Sequence, residues 1–174
     1  LKPGYRYPLA KHYTFTSIMT MFGCPFTCSY CPTANFSPVM RYPDDVVKEL
    51  DHLSNLGVRE LNITDRTFGY PRKNCIDLLK KMIERFDFSW SCFLQPQLYK
   101  PDLLDLMNEA GCHTIVTGID SADLPSRVSY NRKVKSGHID SMLNHANSLD
   151  MSICADFILG LEHEDETDIE NTIK

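Results

Sequence analysis

The chain has 174 residues, which suits one domain of roughly 100 to 200 residues with a continuous core. Apolar residues make up 43% and charged residues 24%, which excludes collagen-like, disordered and disulfide-scaffold chains. The net charge of −5 offers no broad cationic surface, so nothing indicates nucleic acid as a partner. No apolar stretch approaches the ~18 to 20 residues of a membrane-spanning helix. The odd count of seven cysteines argues against a disulfide framework and predicts a reducing, cytoplasmic setting.

Short strand-like runs alternate with runs of helical period from one end to the other. Strands are predicted at residues 14–21, 60–64, 88–94, 114–117 and 152–159. Helices are predicted from Pro43 to Gly57, around residues 75–86, from Pro101 to Gly111 and around residues 139–146, with an acidic helix after the last strand. A longer polar loop is predicted between Gly118 and residue 135.

This alternation predicts an α/β fold with five βα units and a parallel sheet. Spacing alone does not choose between part of a TIM-type barrel and a doubly wound open sheet. In both folds the function lies at the carboxyl ends of the strands. The first residue is Leu1, and the last run has the pattern of a helix without a C-terminal cap. We therefore expect a piece of a longer protein.

Three cysteines follow the first predicted strand. Cys24, Cys28 and Cys31 have the spacing C-x3-C-x2-C, and three thiols so close in sequence can converge on one metal centre. Structural zinc takes four protein ligands, whereas an iron-sulfur cube held by three cysteines leaves one iron open. A zinc knuckle that borrows His12 or a distant thiol is the alternative. The other four cysteines, Cys75, Cys92, Cys112 and Cys154, are predicted to be buried in the core.

The cysteine segment resembles the signature of the radical S-adenosylmethionine (SAM) superfamily, C-x3-C-x-aromatic-C, with Tyr30 as the aromatic residue. The resemblance implies a partial (βα) barrel whose sixth strand is expected beyond residue 174. It also implies a 4Fe-4S cluster that cleaves SAM to a 5′-deoxyadenosyl radical, which abstracts hydrogen from a substrate. The implied partners are a small-molecule or peptide substrate and an electron donor such as flavodoxin or ferredoxin. No catalytic residue is predicted beyond the cluster ligands.

The same resemblance implies contacts to SAM from loops that follow the strands. Tyr30 is placed beside the adenine, with solvent shielding as its alternative role. Asp65 is placed near the methionine ammonium, with an ordinary loop acid as the alternative. Gln95 and Gln97 follow the third strand, where they can reach the substrate or the SAM carboxylate, or simply form a turn.

Later segments carry further implied contacts. Gly118-Ile-Asp-Ser resembles the family's Gly-Ile-Glu-Ser, which places Asp120 and Ser121 at the ribose or methionyl end of SAM; turn formation is the alternative. Arg132 is placed at the SAM carboxylate, with a solvated basic loop as the alternative. Ile158 lies in a segment similar to one that packs on adenine, although Glu162 and His163 replace its usual Pro and Gly.

Two segments look most like family members that follow a cobalamin (B12)-binding domain. These are Tyr5-Arg-Tyr-Pro before the first strand and the run from Asp65 to Phe68, in which Arg66 replaces an acidic residue. The resemblance implies a lead-in from a preceding domain at residues 1–12 and a core domain at residues 13–174. It favours cobalamin-dependent methyl transfer, with cobalamin bound by the preceding domain. A cobalamin-independent radical SAM enzyme for rearrangement, dehydrogenation or methylthiolation and a non-catalytic zinc-binding module are the alternatives.

Overall fold

The computed structural model describes residues 7–122, 124–132, 134, 136–160 and 164–173. The interpretations placed on Tyr5, Arg6, Glu162 and His163 lie outside these residues. In chain order the elements are β1 (Phe15–Ile18), β2 (Met21–Phe22), β3 (Val39–Met40), α1 (Pro43–Asn55), β4 (Glu60–Ile63), α2 (Arg72–Arg85), β5 (Ser89–Phe93), α3 (Pro101–Glu109), β6 (Cys112–Asp120), α4 (Leu124–Ser129), α5 (Ser136–Ser148), β7 (Ser152–Phe157) and α6 (Glu166–Ile173). None of the described helices is long and apolar enough to cross a membrane.

Five strands form one parallel sheet in the order β1-β4-β5-β6-β7, while β2 and β3 pair as a short antiparallel ribbon. The strand order follows the chain without the reversal that defines a doubly wound sheet. Each connection leads to the next strand on the same side of the sheet, and right-handed crossovers of this kind place the connecting helices on one face. Accordingly, α1 lies against α2, α2 against α3 and α3 against α5. The prediction of a partial (βα) barrel is confirmed.

The main core lies between the sheet and these helices. Leu61 and Ile63 of β4 alternate with polar positions and pack beside Trp90 and Cys92 of β5. The Trp90 indole is fully buried and donates a 2.7 Å hydrogen bond from Nε1 to the Ala110 carbonyl oxygen. Helix positions that recur at i, i+3 and i+4 complete this core: Val46, Val47, Leu50, Leu78, Leu79, Met82, Leu103, Leu104 and Met107.

The amino ends of the strands are covered by residues that precede β1. His113 Nε2 lies 2.7 Å from Glu60 Oε1, and both side chains are buried. The other Glu60 oxygen accepts the backbone N–H groups of Lys11 and His12, at 3.1 and 3.3 Å. A buried carboxylate needs such partners because an unpaired one is costly to desolvate. Residues 11–12 are therefore fixed against the amino end of β4, where this buried pair lies.

Three differences from the predicted elements affect the site. The first predicted strand divides after Ile18 into β1 and β2, and β6 extends to Asp120 as an almost entirely buried strand. The predicted polar loop after β6 contains a short helix, α4. Cys75, Cys92 and Cys112 are buried as predicted, but the prediction for Cys154 is wrong. Cys154 is exposed because β7 is the edge strand of the sheet within the described residues.

We predict that Leu61→Ala destabilises the fold by about 2 to 5 kcal/mol, because it leaves a cavity under a fully buried strand position. Leu56→Ala is the matched control, since that leucine is 66% exposed and its removal changes stability by about 0.5 kcal/mol or less. Urea unfolding of both variants measures the difference. Equal losses would show that the sheet and helices do not pack as described.

Candidate functional site

The three cysteines lie where the sequence analysis places them, at the carboxyl end of the sheet. Cys24, Cys28 and Cys31 follow the β2 strand and line a single cavity of about 450 Å³. The loops after β4 and β5 form the opposite wall. The other residues that line the cavity are Phe26, Tyr30, Pro32, Thr33, Asn62, Ile63, Thr64, Asp65, Arg66, Cys92, Phe93, Gln95 and Val116. The topology thus brings residues far apart in sequence around the cysteine loop.

Burial and mutual repulsion act on the thiols of this cavity. Burial raises the pKa of Cys24 above its ordinary value, and the neighbouring Cys28 and Cys31 raise it further. A backbone hydrogen bond at Phe26 and the charge of Arg132 act in the opposite direction on this pKa. Cys28 is the most buried of the three, at 6% exposure. Cysteines bind metal as thiolates, and a metal centre supplies the positive charge that compensates three of them close together.

Four cysteines border the cavity, the three of the cysteine loop and Cys92. Within the part of the chain that the structure describes, no three His, Cys, Asp or Glu side chains converge closely enough to hold a single ion. Cys92 also borders the cavity, but it is 1% exposed, belongs to the helix-facing core and lies beside Cys112. Three cysteines that line one cavity can each bind a different iron of a cluster.

His12 does not supply a fourth ligand. Its Nε2 lies 3.4 Å from the hydroxyl of Ser89, the first residue of β5. This position is at the amino end of the sheet, and the cysteines are at the carboxyl end. The zinc alternative that borrows His12 is therefore wrong for this fold.

Gly23 allows the cysteine loop to pack against the segment that leads to β3. Its φ of +74° is in the left-handed region, which favours glycine. A Cβ at this position would lie 2.5 Å from the Ser37 carbonyl oxygen and 2.6 Å from that of Phe36. The next residue, Cys24, donates its backbone N–H to the Phe36 oxygen at 3.2 Å. The backbone of the first cysteine is thus fixed by a contact that excludes any side chain beside it.

Asp65 lines the cavity and also holds the turn that precedes the cysteines. Its Oδ1 accepts the backbone N–H groups of Thr20 and Met21, at 2.7 and 3.1 Å, and its Oδ2 accepts the Thr20 hydroxyl. Burial raises the pKa of Asp65, and these hydrogen bonds oppose the increase. Most of the acceptor capacity of the carboxylate is therefore used within the chain. The contact of Asp65 with the SAM ammonium stays a prediction.

Arg132 is an interior residue, with 2% of its surface exposed. Its Nε lies 2.5 Å from Asp120 Oδ2, although the angle is not that of a hydrogen bond. Nη1 donates to Gln95 Oε1 and lies 4.0 Å from Cys28 Sγ, and Nη2 donates to the Gly118 carbonyl oxygen. The solvated-loop interpretation of Arg132 is therefore wrong. The guanidinium instead joins the ends of β5 and β6 to the cysteine loop.

Asp120 connects this arginine to Tyr30. The β6–β7 register shifts between Gly118 and Asp120, and Asp120 has a φ of +66°, a region that aspartate tolerates better than most residues. Its Oδ2 accepts a 3.0 Å hydrogen bond from the Tyr30 hydroxyl. Burial and the Asp120 charge both raise the pKa of Tyr30, so the phenol stays protonated as a donor. Tyr30, Asp120 and Arg132 form one network next to Cys28.

Ser121 and Ile158, two further predicted SAM contacts, follow the ends of β6 and β7. Ser121 is buried, and its hydroxyl lies 3.4 Å from that of Thr172 in α6. Ile158 donates its backbone N–H to the Asp120 carbonyl oxygen at 2.8 Å, and its side chain is half-buried. Neither residue lines the cavity among its described walls. Their roles as SAM contacts stay predictions.

A contact that was not predicted from the sequence holds the loop after α4 against the cysteine loop. The Asn131 side-chain amide donates to the Thr27 carbonyl oxygen at 3.0 Å and to its hydroxyl at 2.6 Å. Ser29 donates its backbone N–H to the Tyr130 carbonyl oxygen at 3.2 Å. Asn131 has a φ of +61°, which asparagine tolerates well. The polarity of this loop was visible in the sequence, but its partner about 100 residues earlier was not.

Comparisons with known proteins agree with this geometry. A family model described as Radical SAM superfamily matches residues 18–174. An uncharacterized methyltransferase of Pyrococcus horikoshii is 28% identical over 165 residues, which are 92% of this chain and 36% of that protein. A tRNA-2-methylthio-N(6)-dimethylallyladenosine synthase of Deinococcus radiodurans is 29% identical over 177 residues, covering 88% of this chain and 34% of its own length.

A solved structure has the same fold. The radical S-adenosylmethionine methyltransferase TsrM of Kitasatospora setae, with cobalamin and a [4Fe-4S] cluster bound, superposes with a TM-score of 0.84 at 18% identity. The match covers 91% of this chain and 31% of TsrM. The chain thus spans about a third of the length of these proteins.

We predict that Gly23→Ala destabilises the chain more than Gly57→Ala. Both glycines have positive φ, at +74° and +76°, but a Cβ at Gly57 meets nothing within 4 Å. Gly57→Ala is the control, and it loses only the about 1 to 2 kcal/mol that a left-handed backbone conformation costs a residue with a Cβ. Gly23→Ala has the same cost and adds a clash with two carbonyl oxygens. Chemical denaturation gives both values. Identical costs would contradict the close packing of the cysteine loop.

We also predict that Arg132→Met destabilises the chain by about 3 to 5 kcal/mol, because the buried Asp120 carboxylate loses its counter-charge. Adding Asp120→Asn removes that unpaired charge, so the double variant is expected to regain part of the lost stability. A double-mutant cycle from urea unfolding measures the coupling between the two residues. Strictly additive effects would show that the two side chains do not interact.

Proposed function

The chain belongs to the radical SAM superfamily, and from that premise we propose that Cys24, Cys28 and Cys31 hold a 4Fe-4S cluster whose remaining iron binds SAM. The observation that carries the proposal is the placement of three thiols around one cavity at the carboxyl ends of the strands. When bound, the cluster supplies the electron that cleaves SAM to methionine and a 5′-deoxyadenosyl radical, which abstracts hydrogen from the substrate.

The residues of the cavity orient and shield this centre. The half-exposed ring of Tyr30 stands between two proposed ligands and is fixed by its hydrogen bond to Asp120. It thereby limits solvent access to the cluster, and its face is available to the adenine. Asp65 holds the turn that delivers Cys24 and has acceptor capacity left for a cationic amine.

The residues that follow β6 and β7 have different proposed roles. Arg132 is proposed to hold the cysteine loop through Gln95, Asp120 and Cys28, with little N–H capacity left for the SAM carboxylate. Asp120 and Ser121 remain the proposed contacts to the ribose or methionyl end of SAM. Ile158, whose backbone is fixed to Asp120, is proposed to pack on the adenine.

For the whole protein we propose cobalamin-dependent methyl transfer. The support is the similarity to a methyltransferase of Pyrococcus horikoshii and the shared fold with TsrM, which was solved with cobalamin bound. In this proposal residues 1–12 lead in from a preceding cobalamin-binding domain, and residues 13–174 are the radical SAM core. The substrate is a small molecule or peptide, and a flavodoxin or ferredoxin in the cytoplasm donates the electron. An Asp-x-His-x-x-Gly loop upstream in the full-length sequence would support this subclass.

The second candidate is cobalamin-independent methylthiolation. It is supported by the similarity to the methylthio-forming synthase of Deinococcus radiodurans. Both candidates use the same cysteine loop and the same SAM cleavage, so the cysteine experiment below tests what they share. A full-length protein that binds no cobalamin and transfers a methylthio group would favour this second candidate.

We predict that Cys28→Ala abolishes cluster assembly, because it removes the most buried of three ligands. Cys154→Ala is the matched control, since Cys154 is exposed on β7 and distant in sequence from the loop. Anaerobic reconstitution with iron and sulfide should give a brown wild-type protein and control, each forming 5′-deoxyadenosine from SAM after reduction.

Cys28→Ala should remain nearly colourless and should not cleave SAM. Full SAM cleavage by Cys28→Ala would overturn the ligand assignment. A colourless wild-type protein that holds one zinc per chain would overturn the proposed function.

A further inference from the structure

A second cavity adjoins the cysteine cavity and has a different character. Its volume is about 520 Å³, and its walls are mainly the apolar side chains around the β2–β3 ribbon. The lining residues are Met19, Met21, Phe22, Gly23, Thr33, Phe36, Ser37, Val39, Thr64 and Arg66. We call this cavity the apolar groove. It shares Thr33, Thr64 and Arg66 with the cysteine cavity, so the two spaces meet at these residues.

The groove exposes large apolar side chains to solvent. Phe22, Phe36 and Val39 are 53%, 63% and 62% exposed. Isolated apolar residues on a surface are ordinary, but a contiguous group beside a functional cavity marks a binding site. Covering such side chains removes apolar surface from water, which is favourable by about 25 cal/mol for each Å². The groove is therefore suited to the apolar part of a ligand.

Arg66 brings a positive charge to the junction of the two cavities. Its side chain is exposed and forms no hydrogen bond or ion pair among the described residues. Five other arginines each lie within 4 Å of a carboxylate: Arg41, Arg59, Arg72, Arg85 and Arg132. The oxygens of the adjacent Asp65 accept hydrogen bonds from Thr20 and Met21, and no contact between Asp65 and Arg66 is present among the described residues.

The positive charge of Arg66 favours an anionic ligand group. A guanidinium presents its N–H donors as a planar fork, which matches the two oxygens of a carboxylate or another oxyanion. Arg66 also occupies a position where the similar family segment has an acidic residue, so the sign of the charge is a property of this chain. An anionic group is therefore favoured at the point where the apolar groove opens onto the cysteine cavity.

We propose that the apolar groove binds an amphipathic organic anion, with its apolar body against Phe22, Phe36 and Val39 and its oxyanion on Arg66. That this anion is the substrate rests on the proposed function, whereas its binding requires no cluster. A ligand held in this way extends to the shared wall of the two cavities. The groove thus selects a substrate that carries both an apolar body and an acidic group.

Two fluorescent probes test the proposal on the chain without iron. The first, 8-anilino-1-naphthalenesulfonate, carries a sulfonate, and the second, N-phenyl-1-naphthylamine, has the same rings without the charge. We expect Arg66→Gln to weaken binding of the sulfonate about tenfold or more and to leave binding of the neutral probe unchanged. Arg59→Gln is the matched control, because Arg59 pairs with Asp87 at the amino end of β4. Phe36→Ser should weaken both probes.

Three results would overturn the proposal. A sulfonate affinity that is equal in wild type, Arg66→Gln and Arg59→Gln would overturn it, as would equal loss of both probes in Arg66→Gln. A wild-type chain that binds neither probe would also overturn it. Iron loading of Arg66→Gln separates this result from the proposed function: a cluster that assembles normally while sulfonate selectivity is lost supports the groove assignment.

Discussion

Parallel pairing in chain order is the constraint on which the rest of this structure depends. Because β1, β4, β5, β6 and β7 run in one direction and neighbour one another in sequence order, all of their carboxyl ends reach the same rim. The helices are placed on the outer face by the handedness of the crossovers. Loops that are distant in sequence then share this rim, where Asp65 and Gln95 line one cavity with the cysteine loop and Asp120 accepts a hydrogen bond from Tyr30 of that loop. The amino ends are occupied by the buried Glu60 and His113 and by the backbone of residues 11–12.

The second organising feature is the buried charge of Arg132. A buried ion pair gains little over an apolar pair of the same size, because desolvation offsets the attraction between its members. Its value here is positional, since one guanidinium contacts Gln95, Asp120 and the Gly118 carbonyl group and lies 4.0 Å from the Cys28 sulfur. A fixed positive charge beside grouped thiols also opposes their mutual repulsion. The same network orients Tyr30, so one residue far along the chain supports both the ligand loop and the aromatic side chain within it.

The segment between β2 and β3 serves two cavities. On one side its cysteines line the space proposed for the cluster and SAM, and on the other Phe36 and Val39 line the apolar groove. Gly23 makes this possible, because it brings the backbone of the first cysteine against the carbonyl groups of Phe36 and Ser37. In the two proposals a single short loop therefore sets the positions of both cofactor and substrate. A change in its packing is expected to alter both sites together.

The sequence by itself determined the alternation of five βα units, the reactive end of the sheet and the three thiols, because each is a local pattern of period, turn residues or spacing. It did not determine strand order, which distinguishes a partial barrel from a doubly wound sheet and depends on pairing between distant segments. Only the tertiary structure placed Arg132 in the interior, His12 at the opposite end from the cysteines and Cys154 on an exposed edge. It also showed that Arg66 lies between two cavities. The burial and the contact partners of these side chains depend on residues tens of positions away in the sequence, so local periodicity does not predict them.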